Sequence, residues 1–123
     1  MGNPVLHFEV LGKDPKVLQS FYRDAFDWEM AASAPGYAMA LPKAQGGING
    51  GIGAAMGGGP GHVTFYIEAP DLKDSLEKIA HLGGRTVMGP MAIPGGPTIA
   101  LFGDPEGHVV GLVQAGTTKS SRP

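Results

Sequence analysis

The chain has no cysteine in its 123 residues. Disulfides, thiolate metal ligands and cysteine nucleophiles are therefore excluded. It also lacks a basic block: nine Lys and Arg face eleven Asp and Glu, for a formal charge of −2. Nucleic acid and anionic membrane surfaces are poor partners for such a balance. No apolar run approaches the length needed to span a bilayer, and none follows a basic N-terminal segment. A soluble cytoplasmic protein without signal peptide is the expectation. Motifs for nucleophilic hydrolysis and phosphate cradling are missing too. There is no Gly-x-Ser-x-Gly and no His-Glu-x-x-His, no Gly-Lys-Ser/Thr follows the glycine run, and Gly51-x-Gly53 reaches Met56 where a dinucleotide fingerprint needs glycine.

Glycine and proline are abundant instead, at 21 and 11 residues. Such a share can mark a low-complexity chain. Here nine of the glycines lie between Gly46 and Gly61, and 42% of residues are hydrophobic against 16% charged. That is too apolar and too weakly charged for disorder.

The remainder is well patterned. Pro4 to Val10 alternates as a strand, with Val5, His7 and Glu9 on one face and Leu6, Phe8 and Val10 on the other. Asp14-Pro15 pairs an N-cap with a first-turn proline and opens a helix to about Phe26. Leu18, Phe21, Tyr22 and Ala25 give it a buried stripe. Strands follow at Trp28–Ala34, Tyr37–Leu41 and Ile48–Met56, the last weakened by glycine. Residues 57–61 read as a flexible connector. A fifth strand, His62–Glu68, places Val63, Phe65 and Ile67 opposite His62, Thr64, Tyr66 and Glu68. Asp71 caps a helix that buries Leu72, Leu76 and Ile79 and stops at Gly83-Gly84. Arg85–Met91, Thr98–Phe102 and His108–Gln114 complete the strands, and residues 116–123 form a polar tail expected to fray. The last two strands meet at Asp104-Pro105-Glu106-Gly107, a turn sequence in which each residue suits its place.

Strand, helix and three strands thus occur twice, and the caps Asp14 and Asp71 mark the repeat. The expected fold is α+β. Two βαβββ modules, about 4–56 and 62–115 within one domain, form a curved eight-stranded sheet with both helices outside and a cup inside. Leu6, Phe8 and Val10 go under the first helix; Val63, Phe65 and Ile67 go under the second. His7, Glu9, Thr64 and Tyr66 face the cup.

The paired modules, Leu6-His7-Phe8, Phe21-Tyr22 with Phe26-Asp27-Trp28, Leu82-Gly83-Gly84 and the Asp104 turn carry a resemblance. The chain resembles the vicinal oxygen chelate superfamily of glyoxalase I, bleomycin-resistance proteins and extradiol dioxygenases over about residues 4–115. One such fold hosts many functions. The resemblance implies four metal positions. His7 falls on the first. The second lies in the Gly50–Met56 strand, which has no carboxylate. The third falls on Thr64 by gap-free counting, or on His62 with a two-residue insertion. The fourth, seven residues after Asp104, is Gly111, which lacks a side chain and leaves open space at the cup wall.

A catalytic metal needs about three protein ligands, and this set provides His7 and at most His62. The reading drawn is metal-independent binding of an apolar or aromatic small molecule, as in drug sequestration, with no cofactor. His7, Glu9 and Tyr66 orient the ligand, and Trp28, Tyr37 and Met39 cover its flat surface. Thr64, Phe102 and Gly111 complete the lining. The resemblance further implies a homodimer. One alternative is a divalent-metal lyase or dioxygenase on His7 and His62, completed by Glu9 or a partner subunit. Another is a metal-free isomerase or epimerase with Glu9 as base. His81, late in its helix, and His108, beside the turn, read as structural.

Overall fold

The computed structural model describes residues 2–117. Eight strands and two helices follow the expected order: β1 (Val5–Gly12), α1 (Pro15–Phe26), β2 (Glu29–Ala34), β3 (Tyr37–Leu41), β4 (Gly50–Ala54), β5 (His62–Ala69), α2 (Leu72–His81), β6 (Arg85–Ala92), β7 (Thr98–Gly103) and β8 (Val109–Gln114). The α+β class and the βαβββ repeat are as expected. Both helices start where side-chain chemistry predicts. Asp14 Oδ1 accepts from Val17 N at 3.1 Å and Asp71 Oδ1 from Asp74 N at 3.0 Å, each satisfying an orphan N–H of the first turn.

The chain divides into two compact units, Leu6–Phe65 and the residues up to Val5 together with those from Tyr66 onward. In the first, the strands run in the order β2-β3-β4-β1, antiparallel except for the parallel pair β1 and β4. Val10, Ala40 and Ile52 form its buried core, with Phe8, Leu18, Tyr22, Trp28 and Met30 packed on it. Gln19 Nε2 donates to Ile52 O at 2.8 Å and ties α1 to β4. The helical stripe is narrower than expected. Leu18 and Tyr22 face the sheet, but Phe21 is 57% exposed and Ala25 is exposed too. Tyr22 stacks on Trp28 with centroids 5.5 Å apart. Phe21, about 100° further round the helix by its 3.6-residue turn, touches only the edge of Tyr22. Ile52 has 0% exposure at the centre of this core. Ile52→Ala should lower stability by about 2–5 kcal/mol, the range for emptying such a site, as measured by urea unfolding.

The second unit orders its strands β5-β8-β7-β6, with β5 and β8 parallel. Ala69, Leu72, Leu76, Ala100 and Leu112 are its core, joined by Ile67, Ile79 and Phe102. Leu72 and Leu76 thus bury as expected, and Ile79 is partly buried beside them. Val63 and Phe65 do not go under α2; they stay 73% and 41% exposed. The helix packs on β6, β7 and β8. The N-terminal half of β5 belongs to the first unit.

Two further expectations are corrected. The glycine connector carries local structure of its own. Met56–Gly58 forms a 3₁₀ turn, Ala55 N donates to Gly12 O at 2.9 Å, and Gly61 lies against the end of β1 with φ +88°. The expected fraying does not hold at Thr117. Thr117 Oγ1 accepts from Thr98 N and donates to Gln114 O; the rest of that tail lies outside the described residues. No helix among the described residues is long and apolar enough to cross a membrane.

Candidate functional site

Strand alternation sorts the first unit into two faces. The register sets Glu9 beside Gly51 beside Met39, and Leu11 beside Gly53 beside Tyr37. Phe8, Val10, Ile52 and Ala40 point to α1; His7, Glu9, Met39 and Tyr37 therefore occupy the opposite face, all of them half-buried. Three of these converge. The Tyr37 hydroxyl donates to Glu9 Oε2 at 3.1 Å and lies 3.2 Å from His7 Nε2. A phenol has one proton, and Glu9 takes it. The bond to His7 then requires the Nε2–H tautomer, with Tyr37 Oη as acceptor.

The glycines of β4 make this convergence sterically feasible. The Tyr37 ring crosses the strand over Gly51 and Gly53. A Cβ at Gly51 would overlap the hydroxyl and lie 2.7 Å from Cε2; one at Gly53 would overlap the ring edge. On the helix side Phe8 covers Gly50 in the same way, 2.5 Å from where its Cβ would stand. Glycine in a strand interior marks close approach, and here the approaching groups are two aromatic rings.

The second unit repeats the device. Tyr66, only 7% exposed, lies over Gly111, its register partner on β8. A Cβ there would overlap the ring and stand 2.7 Å from Tyr66 Cγ. The space expected to be open at Gly111 is filled. Glycine frees volume, but a neighbouring side chain rather than a cavity claims it.

The other anticipated residues are dispersed. Trp28 is committed to the helix side, 5.3 Å from Phe8 and stacked on Tyr22. Phe102 packs in the core under α2. Thr64 is buried within β5 and His62 is exposed at its start. His108, read as structural, closes the turn: its Nδ1 lies 3.0 Å from Asp104 Oδ2, and Asp104 Oδ1 accepts from the backbone N–H of Glu106 and His108. The Tyr37 bridge escaped sequence reading, although the Gly51-x-Gly53 spacing beside a tyrosine-headed strand carried its signal.

The divalent metal that the resemblance implies does not fit these residues. No group of three or more His, Asp or Glu able to hold a metal exists among the described residues. The one imidazole and one carboxylate that do converge, His7 and Glu9, have a phenolic oxygen between them. In the second unit Tyr66 covers the Gly111 position.

Burial lowers the His7 pKa from its ordinary 6.5 by penalising the cation. His7 is therefore predominantly neutral at pH 7. Between its folded pKa and 6.5 the unfolded chain binds more protons, so this contribution to stability is intact above 6.5 and falls as pH drops below it. Backbone and side-chain bonds from His108 hold the Asp104 pKa below its ordinary 3.8. The stability it adds is present above 3.8 and is lost as pH falls through the lowered value. Urea midpoints measured from pH 7.5 to 3 should therefore decline in two stages. His7→Gln should flatten the first and Asp104→Asn the second.

The sequence model of the Glyoxalase/Bleomycin resistance protein/Dioxygenase superfamily matches residues 5–112. No curated protein sequence matches the chain. Among solved structures, a hypothetical protein from Bacillus halodurans superposes with a TM-score of 0.70 at 12% identity, covering 100% of both chains. The Mn(II)-bound glyoxalase from Novosphingobium aromaticivorans gives 0.60 at 20% identity, over 98% of this chain and 40% of that one. Methylmalonyl-CoA epimerase from Mycobacterium tuberculosis gives 0.61 at 16% identity, over 89% and 86%. At these identities the likeness is one of fold.

Proposed function

The chain belongs to the glyoxalase/bleomycin resistance protein/dioxygenase superfamily, and from that premise we propose that it binds a small organic molecule without a metal, on the sheet face that carries His7, Tyr37 and Glu9. One observation carries the reading: a hydroxyl oxygen stands between His7 and Glu9, so the pair is engaged in hydrogen bonding rather than coordination. Met39 beside them supplies apolar surface, and thioethers adapt well to flat ligands. An apolar wall with a few convergent polar groups is the usual small-molecule site. Sequestration of such a molecule, as in drug resistance, is the role this reading assigns, and a homodimer remains part of it. Light scattering at twice the chain mass tests the dimer.

Titration with a panel of aromatic compounds, followed by thermal shift and NMR, tests the binding. Saturable binding that weakens about tenfold or more in His7→Ala, the cost of one lost hydrogen bond to a buried group, supports it. Stoichiometric Mn²⁺ or Zn²⁺ binding abolished by the same substitution overturns it.

A second reading is favoured by the Tyr37–Glu9 bond: metal-free proton transfer with Glu9 as base and Tyr37 holding its carboxylate in place. Deuterium uptake into methylmalonyl-CoA in D₂O, lost in Glu9→Gln, would support it; no uptake at any pH from 6 to 9 would remove it.

A further inference from the structure

The Tyr37 side chain has the geometry of a bound ligand. Its hydroxyl accepts from one protein group and donates to another, His7 and Glu9, at 3.2 and 3.1 Å. Its ring crosses a strip of β4 that only glycine permits, since a Cβ at Gly51 or Gly53 would overlap it. The two features together select a planar ring with a hydroxyl. A carbonyl or ether could accept from His7 but could give nothing to Glu9. A carboxylate would set two negative charges side by side. An aliphatic alcohol would satisfy both polar groups and leave the glycine strip uncovered.

The placement of Tyr37 in the chain suits exchange. It is the first residue of β3, directly after Gly36, whose φ of +76° makes the hairpin turn. Residues 32–36 are exposed, and the pairing of β2 with β3 slips between Ala32 and Ala34. Withdrawing this ring disturbs a hairpin end, not the core around Ile52.

We infer that Tyr37 is a tethered occupant of a hydroxyaromatic site, and that the ligand of this face is a phenol-type molecule which displaces it, sets its hydroxyl between His7 and Glu9 and lays its ring over Gly51 and Gly53. This rests on the small-molecule reading above and narrows it to one ligand class. The tether makes Tyr37 a built-in competitor. A side chain attached beside its own site competes at an effective concentration on the order of millimolar, so only ligands that out-bind it are retained.

The probe is p-cresol, the tyrosine side chain as a free molecule, with toluene as its hydroxyl-free counterpart. Binding is read by NMR titration of the full chain. Wild type should bind p-cresol weakly, and Tyr37→Ala at least about tenfold more tightly, because the competitor is gone. Toluene should bind Tyr37→Ala at least about tenfold more weakly than p-cresol, having no hydrogen bonds to offer. Adding Glu9→Gln or His7→Ala to Tyr37→Ala should erase that preference. If Tyr37→Ala does not hold its fold by circular dichroism, Gly53→Ala in the otherwise native chain replaces it: it evicts the ring and should weaken p-cresol binding too, because the strip is blocked for both. Equal binding of toluene and p-cresol, or p-cresol binding unaffected by Glu9→Gln and His7→Ala, overturns the proposal. If toluene binds in a His7-dependent way with no preference for phenol, the broader reading survives and this one fails. If neither probe binds wild type or Tyr37→Ala, both fail.

Discussion

Gly111→Glu should destabilise the protein by about 3 kcal/mol, the upper end for overpacking a filled site, and should not create a metal ligand. The residue lies in the middle of β8, opposite Leu101 on one side and Tyr66 on the other. Its Cα is covered by the Tyr66 ring, so the first carbon of any side chain overlaps Cδ2 and Cε2 and comes within 2.7 Å of Cγ. Tyr66 is 7% exposed, and a buried ring has no free rotamer to retreat into. The test is a double-mutant cycle by urea unfolding with Gly111→Glu, Tyr66→Ala and both. Removing Tyr66 alone should cost about 3–5 kcal/mol. The two losses should be far from additive, because the second substitution relieves the clash created by the first. A Gly111→Glu protein as stable as wild type, or additive losses, would show that the ring does not claim that space.

The second large effect is expected at Gly61→Ala, at about 3 kcal/mol or more, in the tail of mutational costs that backbone conflicts produce. Gly61 has φ +88°, and a Cβ there would overlap the Leu11 carbonyl oxygen while standing 2.7 Å from the Leu11 carbonyl carbon and 2.8 Å from Gly12 Cα. All three atoms are backbone, so no rotamer change relieves the contact. Gly57→Ala is the control. It shares the left-handed backbone, at φ +64°, but a Cβ there meets nothing within 4 Å. It should cost only the conformational penalty, roughly 1–2 kcal/mol. Thermal unfolding of both variants separates the two causes; equal melting temperatures would mean that the connector is as loose as its composition suggests.

These two glycines also show where sequence reading loses its hold. Asp14 and Asp71 cap helices because a short carboxylate before a helical pattern has one good use. The Asp104 turn closes because its carboxylate accepts from the backbone N–H groups of Glu106 and His108. Alternation likewise assigned His7 and Glu9 to one face and Phe8 and Val10 to the other. Each inference concerns residues within a few positions of one another, where covalent geometry leaves few options.

Occupancy follows a different logic. A glycine in a strand states that something comes close, but not what. At Gly51 and Gly111 the structure supplies two tyrosines, one from a hairpin partner and one from a parallel neighbour. Phe102 and Trp28 read as equally good site walls, yet packing under the two helices takes them. Val63 reads as core and stays exposed, in the half of β5 that belongs to the first unit while α2 belongs to the second.

The sequence by itself therefore determined the βαβββ repeat, the helix starts, the turn and the two faces of β1, because these depend on local bonding and on the period of the chain. Only the tertiary structure decided that Tyr37 stands between His7 and Glu9 and that Tyr66 covers Gly111. Those facts depend on register between strands distant in sequence and on which side chain wins a shared volume, and neither is encoded in any one segment.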